Sequence, residues 1–555
     1  MQVMKKNISI KTIIISLMLS MPISALMAQS YLDSMIIISV GEYKPAIIDA
    51  NKINENPIIN DSTPKLPVSG YGINSKRIIT GFDVEPIKPA QMVGEPLTKL
   101  YNTLVKIGMG TYTTPYGELW YNNLRSKEGL YGLRLKHLSS SATLKNYGYS
   151  GFSDNEINIY GKKFLKEHTL LGNFDFARNA VHFYGYDANM FNISKDLTLQ
   201  RFNLFTGNAQ LISHYADQKR YNHDVKLSYY NVADNYKASE NNIKAAGFVQ
   251  TQVNKELLKV NALVDYYNYK TKLDTFNNTI IALSPNFIAK GEKYHASLGF
   301  TATMDNFIQS KFYFYPNVDL SYNVIDDIII PYAGFTGGLQ KNSFKTFSDN
   351  NPFVLSELKM VNSNKQYELY GGIKGTLSST TSFNAIASYS NVKNMAMYIN
   401  DIEGLQNKFD VIYDDASVLN IRGEVSYQQR EKLRINLRGE YFNYKMKTEL
   451  RAWYKPQVEI ALSANYNLQD KIIVRADLFY IDNQFAKFFV YDTPTIVITK
   501  ELKGVFDANI GLEYRYTKKT GFFLNFNNIT NYRYYRWSNY PTQKLSIMGG
   551  LSYSF

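Results

Sequence analysis

From Lys544 to Phe555 the chain changes polarity at every residue. Leu545, Ile547, Gly549, Leu551, Tyr553 and Phe555 fall on one side, and Lys544, Ser546, Met548, Gly550, Ser552 and Ser554 on the other. Successive side chains point to opposite faces only in a β-strand, so this stretch is a strand with one apolar and one polar side. The pattern recurs upstream. Phe506, Ala508, Ile510, Leu512, Tyr514 and Tyr516 oppose Asp507, Asn509, Gly511, Glu513 and Arg515. Val458, Ile460, Leu462, Ala464 and Tyr466 oppose Gln457, Glu459, Ala461, Ser463 and Asn465, and Leu433, Ile435, Leu437, Gly439 and Tyr441 oppose Arg434, Asn436, Arg438 and Glu440.

A soluble sandwich also alternates, but its strands average about five or six residues and its apolar faces fill one shared core. Here the segments run to about ten residues, and the polar face carries charges of both signs, the layout of a barrel that turns its apolar side to lipid. Closure of such a barrel satisfies every backbone hydrogen bond without water. The turns point the same way. Tyr322 precedes NVIDD, Tyr427 precedes QQREK, Tyr466 precedes NLQDK and Tyr516 precedes TKKTG. A tyrosine at the same depth in hairpin after hairpin reads as an interfacial aromatic girdle. The opposite connections, such as 343–363 and 484–500, are longer, which matches short periplasmic turns and long outer loops.

Counting back from Phe555 places strands near 543–555, 519–535, 504–517 and 470–486, and so on to 98–111, about 22 in all with both ends of the barrel sequence on the periplasmic side. The fold expected is therefore all-β: a transmembrane antiparallel β-barrel of the outer-membrane type over residues 97–555. Residues 1–28 read as a secretory signal peptide, with Lys5, Lys6 and Lys11 before an apolar run from Ile13 to Met27. That run falls short of the roughly 20 residues of a helical span. Residues 29–96 carry prolines at 45, 57, 64, 67, 86, 89 and 96, too many for a continuous ladder or a long helix. They read as an extended periplasmic or lumen-filling segment.

The absence of cysteine excludes disulfides, thiolate zinc sites, iron–sulfur clusters and a thiol nucleophile. The formal charge is +13, of which the leader lysines account for three. A basic exported chain of this kind meets anionic lipopolysaccharide, and no nucleic-acid partner is expected. The six histidines, at 137, 168, 182, 214, 223 and 295, are scattered along the chain without metal-ligand spacing. No phosphate-binding loop, dinucleotide fingerprint or nucleophile elbow stands in the sequence. The one dense cluster of hydroxyls and histidine, KHLSSS at 136–141, reads as a solvated strand-to-loop junction. No enzyme activity, metal or cofactor is expected.

The ending FFLNFNNITNYRYYRWSNYPTQKLSIMGGLSYSF resembles that of TonB-dependent outer-membrane receptors. The likeness rests on Asn525, Asn527 and Asn528, the aromatic stretch Tyr532–Trp537, Tyr540-Pro541, and the terminal strand with Phe555. By architecture the resemblance covers residues 98–555, and by motif the last 35 or so. It implies that Leu551, Tyr553 and Phe555 form the signal read by the barrel-assembly machinery. It also implies ligand capture by loop aromatics such as Tyr535, Trp537 and Tyr540. The run DSMIIISV, with Asp33, Met35, Ile36, Ile37, Ile38 and Val40, loosely resembles the energy-coupling box through which an inner-membrane partner acts. Members of the family fold a globular plug into the barrel, and residues 29–96 are too short for it and lack its glycine-rich loops. A wide barrel would then be filled by its own loops, by 29–96 or by another protein. A receptor-like importer is the leading reading. A structural or assembly barrel that docks a periplasmic or outer-membrane partner, and a passive porin, are the alternatives.

Overall fold

The computed structural model describes residues 100–555 except 125, 218, 308, 326, 327 and 491–495. The signal peptide, the segment 29–96 and the 33–40 run lie outside the described residues.

The strands are β1 (Thr103–Gly110), β2 (Thr114–Asn122), β3 (Gly129–Ser140), β4 (Phe152–Phe164), β5 (His168–His182), β6 (Leu199–Ser213) and β7 (Asn222–Asp234). Then follow β8 (Ser239–Val253), β9 (Glu256–Lys270), β10 (Thr275–Lys290), β11 (Tyr294–Asn306), β12 (Ser310–Tyr322), β13 (Ile330–Gln340) and β14 (Ser363–Ser378). The series continues with β15 (Thr381–Asn400), β16 (Phe409–Gln429), β17 (Leu433–Met446), β18 (Val458–Leu468), β19 (Ile472–Ile481), β20 (Gln484–Val490) and β21 (Ile496–Leu502). It ends with β22 (Val505–Arg515), β23 (Thr520–Asn527), β24 (Tyr535–Trp537), β25 (Tyr540–Pro541) and β26 (Ser546–Ser554).

Twenty-two of these form one antiparallel meander. It closes where β26 pairs with β1, from Leu104↔Ser554 to Gly110↔Met548. The pairs β20–β21 and β24–β25 are separate two-stranded ribbons in the loops. Among the described residues no helix is long and apolar enough to cross a membrane.

The strand count and alternation agree with the sequence pattern, and several boundaries differ, β16 starting at Phe409 and β1 at Thr103; two differences bear on the loops. The strand placed at 470–486 stops at Ile481, because Gln484–Val490 leaves the wall and pairs with Ile496–Leu502. The strand placed at 519–535 stops at Asn527, where Asn528 turns left-handed with φ 53°. Its side-chain amide donates to the carbonyls of Tyr532 (2.8 Å) and Gln543 (2.7 Å), and so fixes the loop that follows.

The wall is inverted relative to a soluble core. On β22, Phe506, Leu512 and Tyr514 are exposed on the outside while Asp507 and Glu513 point inward. Ile107, Leu135, Ile159, Phe174, Leu227 and Leu283 are likewise exposed. Lipid is the solvent such a surface requires, since a charge placed there costs about 2–4 kcal/mol at the midplane. The closing seam is packed from the lumen side. A Cβ added at Gly550 would stand 2.4 Å from Cζ of Phe523, and one at Gly108 2.9 Å from the same atom. The Phe523 ring thus lies over both glycines and meets Tyr116 edge-on at 5.9 Å.

Tight turns at 254–255, 379–380, 430–432 and 469–471 lie at one end of the barrel. Tyr322 ends its strand there, Tyr427 and Tyr466 lie two residues before the ends of theirs, and Tyr516 follows β22 directly. Tyr294 stands opposite Tyr322, Tyr516 lies near Tyr514 and Phe522, and Tyr553 packs on Phe555 at 4.8 Å. The four tyrosines expected in a girdle all lie within two residues of the turn end of their strands. The long connections, 183–198, 341–362, 447–457, 482–504 and 528–545, all leave the other end.

Candidate functional site: the capped mouth

Phenylalanine, tyrosine and tryptophan side chains carried by the long loops gather into one buried cluster at the loop end. Phe183 comes from 183–198, Phe344, Phe347 and Phe353 from 341–362, and Phe409 from the first position of β16. Trp453 and Tyr454 come from 447–457, and Trp537 and Tyr540 from 528–545. Tyr540 is 2% exposed and stacks on Phe353 at a centroid distance of 3.7 Å. It also meets Tyr184 edge-on at 4.9 Å, and its hydroxyl donates to the carbonyl of Asn407. Trp537, 9% exposed, sits 5.0 Å from Tyr398, 5.1 Å from Tyr454 and 5.3 Å from Phe409. Offset and edge-on ring pairs of this kind contribute about 0.5–1.5 kcal/mol each beyond their burial.

The roots of these loops decide what the cluster does. The 183–198 loop joins β5 to β6, and the 401–408 connection joins β15 to β16, nearly opposite it on a ring of 22 strands. Yet the Asn407 side-chain amide donates to the carbonyl of Phe183 at 3.0 Å, and the Lys408 ammonium lies 4.8 Å from the Phe183 ring. The 528–545 loop joins the same junction, where the Tyr184 hydroxyl donates to the carbonyl of Pro541 at 3.0 Å. Segments rooted in facing walls can touch only by crossing the opening, so the loops form a cap over the mouth.

The cap is tied to the wall by polar contacts. Glu240 on β8 is fully buried; its carboxylate accepts from the Phe344 backbone N–H at 2.7 Å and from the Tyr230 hydroxyl at 2.5 Å. Phe344 opens the short helix Phe344–Asn350, whose N-cap is Ser343. Farther along the same loop, the Tyr269 hydroxyl donates to the Ser356 carbonyl at 2.7 Å, and the Asn362 amide donates to Asp305 at 3.1 Å. Lys341 pairs with Asp265 at 2.9 Å. Between loops, Lys487 on β20 reaches Glu449 at 2.9 Å while the Trp453 indole donates to the same carboxylate at 2.7 Å.

Burial raises the hydroxyl pKa of Tyr184, Tyr454 and Tyr540. It lowers that of Lys408, with Asp401 and Asp234 pulling the other way. Burial pushes Lys455 down to about 8, opposed by Glu459.

The lumen wall is polar and cross-linked. Arg422 and Arg438 meet Glu440 at 3.0 and 3.4 Å, and Arg475 and Arg515 meet Glu513 at 3.8 and 3.3 Å. On the β2–β4 side, Arg134 bridges Glu118 (3.0 Å) and Glu156 (2.8 Å), with Lys136 also on Glu156. Opposite charges across neighbouring strands (Arg422–Glu440, Arg475–Glu513, Arg134 with Glu118 and Glu156) and two apart on one strand (Arg438–Glu440, Arg515–Glu513) brace the wall.

Of the three loop aromatics singled out from the sequence, Tyr535 alone is exposed, its hydroxyl 2.9 Å from that of Tyr147. Trp537 and Tyr540 belong to the cap core. Three of the six histidines, scattered in sequence, come together in space. The rings of His168 and His223 lie 5.3 Å apart, both against Tyr215, and His214 bonds Thr169. Strand pairing of β5, β6 and β7 brings them together, which linear spacing does not show. Among the described residues no cluster suited to a metal is present. His137 in the 136–141 stretch bonds Asn155 and Ser139.

A closed 22-stranded barrel with an apolar exterior and capped mouth is the fold of outer-membrane receptor barrels. No family model and no curated protein matches the sequence. Solved structures do match. The FrpB iron transporter from Neisseria meningitidis superposes with a TM-score of 0.64 at 10% identity, over 83% of this chain and 82% of the other. The siderophore receptor PirA from Acinetobacter baumannii gives 0.63 at 10% identity, over 83% and 81%. The pyoverdine receptor FpvA from Pseudomonas aeruginosa gives 0.61 at 12%, over 82% and 79%. These neighbours are TonB-dependent outer-membrane receptors, the family whose C-terminal pattern the sequence resembles.

Proposed function

We propose that the chain is an outer-membrane receptor that binds a ligand at its outer face and imports it through the barrel. The observation that carries this reading is the cap: loops rooted in facing walls share one aromatic core across the mouth. A passive porin needs an open path where these loops cross, and a receptor needs a closed one that ligand can move. Exposed Tyr535 and its half-buried partner Tyr147 are the aromatics best placed to meet a ligand first, while Trp537 and Tyr540 hold the loops together. A ferric chelate is the first ligand class to test, because the similar structures include an iron transporter and siderophore receptors.

In this scheme Asp33, Met35, Ile36, Ile37, Ile38 and Val40 couple the barrel to an inner-membrane energy source. Tyr322, Tyr427, Tyr466 and Tyr516 seat it in lipid. Leu551, Tyr553 and Phe555 address it to the assembly machinery. The test pairs two measurements on the full chain. Purified protein in planar bilayers should show little steady conductance, and deletion of 33–40 should abolish ligand uptake by cells while leaving the barrel assembled. Large constitutive conductance of the intact protein, or uptake unaffected by the deletion, would overturn the reading.

A further inference from the structure

The outer wall carries a groove of about 540 Å³ near the turn end of β3–β6. Its floor is made where small residues stand in register: Gly161 of β4 opposite Gly172 of β5, and Gly172 opposite Ala209 of β6. Tyr131 of β3 stands opposite Gly161, and Leu170 lines the groove beyond Gly172. The exposed side chains of Ile159 and Phe174, opposite each other one step toward the middle of the wall, close its upper side. The floor has room to spare: a Cβ at Gly161 would come no nearer than 3.9 Å to another group, and one at Gly172 no nearer than 3.7 Å.

The lower rim is basic. Lys162 and Lys163 line the groove beside Glu128, and Lys127 and Lys166 stand exposed in the adjoining turns. None of the ion pairs among the described residues engages these four lysines, and the nearby Glu167 is held by Arg220 at 2.7 Å. By strand alternation Lys163 shares the outer face of Gly161, whereas Lys162, its ammonium 4.9 Å from the Phe164 ring, falls with Tyr160 on the lumen face. Apolar floor, aromatic flank and unpaired ammonium groups follow one another in the order of acyl chain, interface and phosphate. The turn end faces the periplasm, so the leaflet is the inner one.

We propose that this groove is a binding site for one anionic phospholipid of the periplasmic leaflet. One acyl chain lies over Gly161, Gly172 and Ala209, and the phosphate is drawn by Lys163 and Lys166. Each basic residue near such a headgroup contributes about fivefold in affinity.

The barrel should be placed in nanodiscs of phosphatidylcholine doped with phosphatidylglycerol, and bound lipid counted by native mass spectrometry. Wild type should retain one phosphatidylglycerol per barrel. Gly172→Leu, which fills the floor, should lose it. The double variant K163E/K166E should lose the preference over phosphatidylcholine by about tenfold or more. Equal retention by wild type and both variants, or retention of lipopolysaccharide instead, would overturn the proposal. If Gly172→Leu fails to assemble, the lysine variant alone decides, since its side chains sit at the rim.

Discussion

The wall and the cap of this barrel obey opposite rules. In the wall, apolar side chains face out and charged ones face in, so that a substitution such as Phe506→Ala mainly gives up contact with lipid rather than with protein. In the cap, apolar side chains face one another and are sealed from both water and lipid, as Phe409, Phe344 and Tyr540 are. The wall is held chiefly by closed backbone ladders. The cap is held by packing and by a few bolts to the lumen face. One molecule therefore contains a membrane-solvated fold and, over its mouth, something close to a small soluble core assembled from loops. The difference teaches where function can move: ladders that close on themselves have no partial state, whereas packed loops do.

The largest effect that would break this contrast is on permeation. Replacing 344–361 by a short glycine–serine turn removes Phe344, Phe347, Phe353 and Leu358 from the cap but no strand of the ring. Conductance in planar bilayers should rise by about tenfold or more, toward that of an open barrel of this size. The barrel itself should still run as a heat-modifiable species in gels. Conductance unchanged from the intact protein would mean that the loops do not close the mouth.

Next comes the packing itself. Phe409→Ala removes a ring that touches Tyr454, Trp537 and Tyr540 and should cost the cap about 3–5 kcal/mol. Phe506→Ala, on the lipid side, should cost far less. Hydrogen exchange separates the two: the first should deprotect amides of 401–408 and 528–545, and the second should deprotect none of them. Equal responses would erase the distinction between wall and cap.

How much of this was legible in the sequence follows from the same distinction. Wall strands announce themselves because each carries its whole signal locally, so β22 falls at Val505–Arg515, within the 504–517 that the alternation places. The cap has no local signal. Phe183, Phe353, Phe409, Trp453 and Tyr540 come from five separated stretches of chain, each too short to show a period. Trp537 and Tyr540 drew notice as loop aromatics, but their burial depends on partners far away in the chain, such as Tyr398 and Phe409 for Trp537 and Tyr184 and Phe353 for Tyr540. The His168–His223 pair was hidden for the same reason, since register across β5, β6 and β7 creates it. The overlong strand at 519–535 failed at Asn528, whose left-handed backbone and double cap end the ladder without any proline or glycine.

A smaller effect tests the bolts. Glu240→Ala leaves the Phe344 N–H and the Tyr230 hydroxyl without their buried acceptor, a cost of about 1–3 kcal/mol for each orphaned group. Glu240→Gln keeps one oxygen and should recover part of it. The loss should appear as faster exchange or proteolysis within 341–362, with the barrel unchanged. If both variants leave that loop as protected as wild type, packing alone holds the cap and the polar anchors are incidental.

The smallest expected effect separates cap from wall by pH. Lys455 lies in the 447–457 loop, and burial holds its ammonium at a pKa of about 8 against the ordinary 10.5. A lysine depressed in this way binds fewer protons folded than unfolded between those two values, so stability rises with pH across that window. Below about pH 8 the ammonium is charged in both states, and the full penalty of burying it is present. Raising pH from 8 to 10 should therefore tighten the cap by on the order of 1–2 kcal/mol, read as slower proteolysis of 447–457. Lys455→Met removes the charge and should flatten that dependence. The wall, whose lumen charges are paired on neighbouring strands, should show no matching rise. A pH response that survives in Lys455→Met would assign it to another group and leave the buried lysine without a role in holding the mouth shut.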